Sequence, residues 1–211
     1  MHQHFKRRQC VLCLKPVYLE ASLYHILYEP KICVSCIQKF EVIYASKKLE
    51  GYMIQVLYAY NEFFKQLLFQ YKGLYDMALK DVFLDIFHQE LKNRYRKYLI
   101  VVVPSSQRDN ARRGFVPNEE IVNTLGVDIF TGIYKTKEYK QTSQVHRSDV
   151  ADILAIVGGN SIRGRKVVIF DDVITSGNTI ITCISLIKKY HPKSIEIMVL
   201  ATNQMLTLFK K

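Results

Sequence analysis

Two groups of residues in this 211-residue chain have the types and spacing to do chemistry. In the first, four β-prone apolar residues, Val167 to Phe170, run into two acids, Asp171 and Asp172. A polar loop of Thr175, Ser176, Gly177, Asn178 and Thr179 comes soon after. The apolar run predicts a buried parallel strand. Thr179 to Tyr190 predicts a helix with Ile180, Ile184 and Ile187 as its apolar positions. A strand, loop and helix in this order can make an anion site. Glycine lets the backbone turn tightly, the unpaired amides of the helix N-terminus point into the loop, and the helix dipole favours negative charge there. The hydroxyls of Thr175, Ser176 and Thr179 add donors for phosphate oxygens. The two carboxylates cannot take phosphate themselves, because like charges repel. They suit sugar hydroxyls, or a cation that is bound with the phosphate. The plainer alternative is a strand–turn–helix with two capping acids, but capping needs neither both acids nor the whole hydroxyl–glycine loop.

The second group is a pair of cysteine pairs, Cys10-x-x-Cys13 and Cys33-x-x-Cys36, with residues 14–32 between them. That spacing fits a four-cysteine zinc site, in which each pair forms a tight knuckle and four thiolates complete a tetrahedron. Four protein ligands leave no open position, so such a zinc is structural. Disulfides are the competing reading, and a reducing cytoplasm disfavours them. The module, taken as residues 1–45, is too short to fold without its metal. Cys183 stands apart and reads as a buried apolar residue of the 179–190 helix.

The rest of the chain must position these groups. Residues 38–51 read as a link out of the ribbon, and residues 46–211 as a second domain. Ile54 to Tyr60 predicts a strand, Asn61 an N-cap, and Glu62 to Gln70 a helix stopped at Gly73. Apolar spacing predicts one amphipathic helix over Met77 to Asn93. The aromatics of 52–75 could stack on bases of a single strand, although core packing is the favoured reading at this helical spacing. Tyr98 to Val103 predicts a central buried strand ended by Pro104. The loop that follows lies where an α/β sheet keeps its ligand loops. Asn118 to Leu125 predicts a helix, and Val127 to Phe130 and Ser194 to Ala201 further strands. Residues 131–149 form a long polar stretch of the kind used as a lid or left disordered. Val150 to Ile156 reads equally as a short helix or a strand.

Bulk properties narrow the function classes. The formal charge is +11, with basic clusters at Lys92, Arg94, Arg96 and Lys97, at Arg108, Arg112 and Arg113, and at Arg163, Arg165 and Lys166. Such a surface favours polyanions, single-stranded DNA among them, or an acidic partner. The apolar stretches are too short for a membrane span, and the basic N-terminus has no apolar run behind it, so a soluble cytoplasmic protein is expected.

The order Val167 to Thr179 closely resembles the phosphoribosyl-pyrophosphate (PRPP) motif of type I phosphoribosyltransferases. The resemblance implies a parallel α/β sheet flanked by helices. It implies that Asp171 and Asp172 hold the ribose hydroxyls, and that the 175–179 loop holds the 5′-phosphate. It also implies a pyrophosphate loop at Ser105, Ser106 and Arg108, and Mg²⁺ bound with PRPP. With the cysteine pairs, the chain resembles the ComF family. Further matches are Tyr60-Asn61, Gln70-Tyr71-Lys72-Gly73 with Asp76, Val103-Pro104, Arg113-Gly114-Phe115, and Gln144 with Arg147 in a flexible loop. One departure is Val116-Pro117-Asn118, where the family has Asn-Gln after the Arg-Gly-Phe. The family implies a competence role in DNA uptake during natural transformation, beside a ComFA-type helicase ATPase and in contact with single-stranded DNA. The alternative is an active phosphoribosyltransferase acting on a nucleobase or related acceptor. Such an enzyme needs a hood over its acceptor, and residues 52–95 are the nearest source of one.

Overall fold

A computed structural model describes residues 9–17, 28–136 and 154–202. Six strands make the main sheet: β1 (Val42–Leu49), β2 (Tyr52–Ala59), β3 (Tyr98–Val102), β4 (Ile129–Phe130), β7 (Lys166–Ile174) and β8 (Ser194–Thr202). Their order is β1-β2-β8-β7-β3-β4, and every pairing is parallel except the antiparallel β1–β2 edge. The strand β7 is one of the two central strands. It pairs with β3 over Tyr98↔Lys166 to Val102↔Phe170 and with β8 over Lys166↔Ser194 to Ile174↔Thr202. Burial on both faces explains its continuous Val-Val-Ile-Phe run, since Val167 to Phe170 are all fully buried. A second, two-stranded sheet pairs β5 (Ile133–Lys135) antiparallel with β6 (Leu154–Ile156). This resolves 154–156 as strand.

The helices are α1 (Val34–Ile37), α2 (Glu62–Gly73), α3 (His88–Tyr95), α4 (Gln107–Arg113), α5 (Pro117–Asn123) and α6 (Asn178–Lys188). Alternate residues of the strands face two separate cores. One face packs Val168, Phe170, Met198 and Leu200 under α2, α5 and the segment 77–87. The other packs Val167, Ile169, Ile197 and Val199 under Ile180, Cys183, Ile184 and Ile187 of α6. Cys183 is therefore the buried apolar residue its sequence context predicts. Among the described residues, no helix is long and apolar enough to cross a membrane.

Three elements differ from expectation. The single helix over 77–93 is instead two 3₁₀ turns, Met77–Asp81 and Asp85–Phe87, followed by α3. Val82, Phe83, Leu84 and Asp85 are all buried, and four consecutive residues cannot share one face of an α-helix. Most of the 38–51 link is strand β1, which sits at the sheet edge and buries little, so its apolar pattern is weak. The strand β7 continues to Ile174, so Asp171 and Asp172 lie within its last turns of pleat and not beyond its end.

Candidate functional site

The carboxyl ends of the parallel strands share one edge, and the two acids stand on it. The Val103 amide donates to the Phe170 carbonyl at 2.9 Å, which brings the chain after β3 beside Asp171. Asp171 Oδ1 accepts from Asn118 Nδ2 at 3.1 Å and from the Asp172 amide at 2.9 Å. Asp172 Oδ2 pairs with Lys72 Nζ at 2.7 Å, and the same ammonium lies 3.4 Å from Asn118 Oδ1. Asn118 is itself buried, at the start of α5. Lys72 is in turn fixed at its backbone, where its carbonyl accepts from Arg113 Nε at 2.8 Å.

The two carboxyls therefore sit in different electrostatic surroundings. Burial pushes Asp171 well above the usual carboxylate range, and the neighbouring Asp172 charge adds to this. Burial would raise Asp172 too, but the Lys72 ammonium outweighs it and holds that carboxyl below its ordinary value. The pair is thus unequal in its partners: Asp172 faces a cation, whereas Asp171 accepts from an amide side chain and a backbone amide. Carboxyl oxygens placed side by side can accept from both hydroxyls of a sugar diol.

The signs of the two shifts lead to a prediction. Asp172 contributes stability that is present above the ordinary carboxylate pKa near 3.8 and lost as pH falls through its lower folded value. Asp171 acts the other way and costs stability at neutral pH, where its unfolded counterpart is ionised. Lys72→Met removes the cation that separates them. Breaking a partly buried pair of this kind is expected to cost about 3 kcal/mol at neutral pH. The loss should shrink as pH is lowered toward 4, when the second carboxyl can take a proton. Urea unfolding of both proteins between pH 4 and 7.5 measures the difference. A pH-independent gap would show that Lys72 acts through packing alone.

The loop after β7 is organised by backbone. Gly177 holds φ = +75°, a left-handed value that costs other residues energy, and it is the N-cap of α6. Thr175 and Ser176 are exposed, Asn178 and Thr179 half-buried. The Ser176 hydroxyl accepts from the Asn178 amide at 3.5 Å. The loop thus stands two residues beyond the acids, with helix amides behind it.

Ser105, Ser106 and Arg108 reach the same edge, after β3. Ser106 caps α4 by accepting from the Asp109 amide at 3.2 Å, and Ser105 donates to Asn110 Oδ1 at 2.6 Å. Both hydroxyls thus hold the start of α4. Arg108 is exposed on its first turn. Gln144 and Arg147 lie outside the described residues.

The short motifs around the acids also find physical roles. Asn61 caps α2 by accepting from the Phe64 amide at 2.9 Å. Gln70 Nε2 donates to Asp76 Oδ2 at 3.0 Å and closes the turn after α2. The Tyr71 hydroxyl donates to the Pro117 carbonyl at 2.8 Å, and its ring packs 5.3 Å from Phe115. Gly114 takes φ = +78° to end α4. No pattern in the sequence assigns Lys72 or Asn118 to the acids. A lysine next to a helix-ending glycine was the available signal, yet only the fold shows that it meets Asp172.

The four paired cysteines converge as well. Their Sγ atoms all lie within 4.8 Å of one another, and Cys13 and Cys33 are 3.6 Å apart with no disulfide. This cluster can hold a metal ion. Sulfurs about 2.3 Å from a tetrahedral zinc are spaced at nearly this distance. Cys10 and Cys36 are buried and, with Ile32 and Phe40, belong to the same core as Leu57, Tyr58 and Phe64. The buried Asp85 carboxylate joins the two regions. It accepts from the amides of Lys31 and Ile32 at 3.0 and 3.1 Å, and from the Tyr28 hydroxyl.

The basic clusters separate in space. Lys92 to Lys97 precede β3, and Arg163 and Arg165 precede β7, which Lys166 begins, so both clusters lie at the amino edge of the sheet, away from the acids. Arg94 there bonds to Glu196, and Lys166 lies over the Tyr98 ring. Arg108, Arg112 and Arg113 are on α4, on the side of the acids.

The phosphoribosyl transferase domain family matches residues 110–211. The competence protein ComFC of Streptococcus pneumoniae is 28% identical over 132 residues, covering 62% of this chain and 59% of that protein. The matched region thus spans about three fifths of the curated relative's length. Among solved structures, a hypoxanthine phosphoribosyltransferase from Staphylococcus aureus aligns at TM-score 0.40 and 16% identity, covering 58% of this chain and 62% of that one. A hypoxanthine-guanine phosphoribosyltransferase from Bacillus anthracis aligns at TM-score 0.40 and 16% identity, over 60% and 68% of the two chains. Residues 110–211 are thus similar to the phosphoribosyl transferase domain family, and the chain is similar in sequence to ComFC.

Proposed function

We propose that this chain is a cytoplasmic ComF-type competence protein that binds PRPP with Mg²⁺ and acts in DNA uptake during natural transformation. One observation carries the ligand: a carboxyl pair, Asp171 held by Asn118 and Asp172 by Lys72, stands two residues before the Thr175–Ser176–Gly177 turn at the N-terminus of α6. Ribose hydroxyls meet the carboxyls. The 5′-phosphate meets the amides and hydroxyls of 175–179, where the helix supplies positive potential. Lys72 and Asn118 hold the carboxyls in place. Ser105, Ser106 and Arg108 belong to the pyrophosphate side. The metal supplies charge neutralisation at the pyrophosphate. Zinc is the ion of the four-cysteine cluster. Calorimetric titration with PRPP and Mg²⁺ tests the reading, and absence of heat at millimolar ligand would overturn it.

The name of the similar protein, a competence protein, supports the DNA-uptake role, and a ComFA-type helicase ATPase is the partner proposed with it. Single-stranded DNA is the proposed polyanion, on the strength of the +11 charge. Anisotropy titration with labelled oligonucleotide should show log affinity falling linearly with log salt. For three neutralised phosphates of a single strand the slope is about −2. A slope near zero would assign the positive surface to something other than nucleic acid.

A further inference from the structure

A pocket of about 700 Å³ opens along α2, next to the acids but outside the phosphate loop. Tyr60, Phe69 and Leu74 form its apolar part, and Lys65, Lys72 and Arg113 its charged part. Its size is that of a small-molecule site. Two of its apolar side chains are left in solvent: Phe69 is 62% exposed and Leu74 63%. Most neighbouring aromatics of this region, Tyr58, Phe64 and Tyr71 among them, are buried. The Phe69 ring lies across the end of α2, against Gly73. A Cβ on Gly73 would sit 2.8 Å from the ring, so the glycine is what lets the ring rest there. Three cations and one acid, Glu62, line the pocket, while the acids that face Lys72 and Arg113, Asp172 at 2.7 Å and Asp109 at 3.9 Å, are not among the lining residues. Glu62 is 3.6 Å from Lys65, but both are more than half exposed, and such a pair exchanges easily for another anion.

We propose that this pocket binds one nucleotide unit, with the base on the Phe69 ring and the phosphate on Lys65, Lys72 and Arg113. A bare phosphate would leave the apolar surface unused, and an apolar chain would leave the cations unused. A flat ring carrying an anion uses both. Exposed aromatic faces beside cations are the usual platform for bases of single strands. The proposal deepens the PRPP reading and rests on it for why a nucleotide is brought here. Lys72 belongs to both places, since its ammonium lines the pocket and is bonded to Asp172. Ribose hydroxyls arriving at Asp172 would loosen that bond and turn the ammonium toward a phosphate in the pocket.

The full chain is titrated with fluorescein-labelled hexathymidylate by anisotropy and with unlabelled dTMP as competitor. The wild type should bind the hexamer. Phe69→Ala should weaken it roughly five- to a hundredfold, the range for one lost base stack. Phe69→Trp should restore binding and Phe69→Leu should not, because leucine offers bulk without a π-face. Gly73→Ala, which displaces the ring, should weaken binding in the same direction. Competition by dTMP identifies a free nucleotide as an occupant, and its failure at millimolar concentration restricts the site to a strand. PRPP calorimetry on Phe69→Ala keeps the two readings apart, because its affinity should be unchanged if the phosphate loop alone holds PRPP. Wild-type hexamer affinity in Phe69→Ala would overturn the proposal whatever PRPP does.

Discussion

Titration of the Asp171→Ala/Asp172→Ala variant with PRPP and Mg²⁺ should give an affinity roughly one and a half to three decades below that of the unaltered chain. Each carboxyl offers a hydrogen bond to a ribose hydroxyl; the bond to the charged Asp172 contributes about 1.5–3 kcal/mol, and that to Asp171, whose carboxyl burial pushes up, about 0.5–1.5 kcal/mol. The two sum to that range if the losses add. Inorganic pyrophosphate has no ribose, so its affinity should change far less. The double alanine also strands Lys72, which loses its 2.7 Å partner, and Asn118, which loses an acceptor. Asp171→Asn/Asp172→Asn is therefore the companion variant. It keeps the shape and a hydrogen-bonding group while removing the charge, and should lose PRPP affinity with a smaller loss of stability. If both variants bind PRPP as the wild type does, the carboxyls do not hold the ribose.

Removing the ribbon metal should unfold more than the ribbon. Protein purified without added zinc is expected to carry one zinc per chain, and Cys33→Ser or a strong chelator should release it. The Asp85 carboxylate shows why the effect spreads. It is buried in the main domain and accepts from the amides of Lys31 and Ile32, which lead directly into the second cysteine knuckle at Cys33. Burial already pushes its carboxyl up against those bonds. When the knuckle loosens, a buried charge loses its donors, at a cost of about 3 kcal/mol or more. For a chain of this size that lowers Tm by roughly 6–12 °C. Calorimetric melting with and without chelator should show one transition moving down as a whole. Metal content well below one per chain, with the thiols oxidised to disulfides, would contradict the assignment.

Strong local signals were legible in the sequence. The Val167–Phe170 run announced a central strand because a strand buried on both faces has no polar alternation to blur it. The cysteine spacing announced convergence because knuckle geometry is local. The Asn61 cap was equally local. What could not be read required distant residues to meet. Lys72 and Asp172 are a hundred residues apart, and no periodicity links them. Val116-Pro117-Asn118 looked like a departure from the expected Asn-Gln pair, yet Asn118 donates to Asp171. Phe69 fell within an aromatic group read as core, and most of its neighbours are core. Its exposure follows from the position of Gly73 at the helix end, which only the fold reveals. The 77–93 segment was read by period alone, and its burial on all sides defeats that rule.

The pairing of β2 with β8 bears on how the chain reaches its structure. The strand β2 ends at Ala59, and its parallel neighbour β8 begins at Ser194, so Ile54 finds Ile197 across more than a hundred residues. A ribosome delivers β1 and β2 early, and these two can form a hairpin at once. The other edge of β2 then waits, apolar and unpaired, through the synthesis of every later element. Long-range parallel pairing of this kind is slow and leaves strand edges open to wrong partners. Refolding should accordingly be limited by docking of β8, and chains halted before residue 194 should be the ones that need a chaperone.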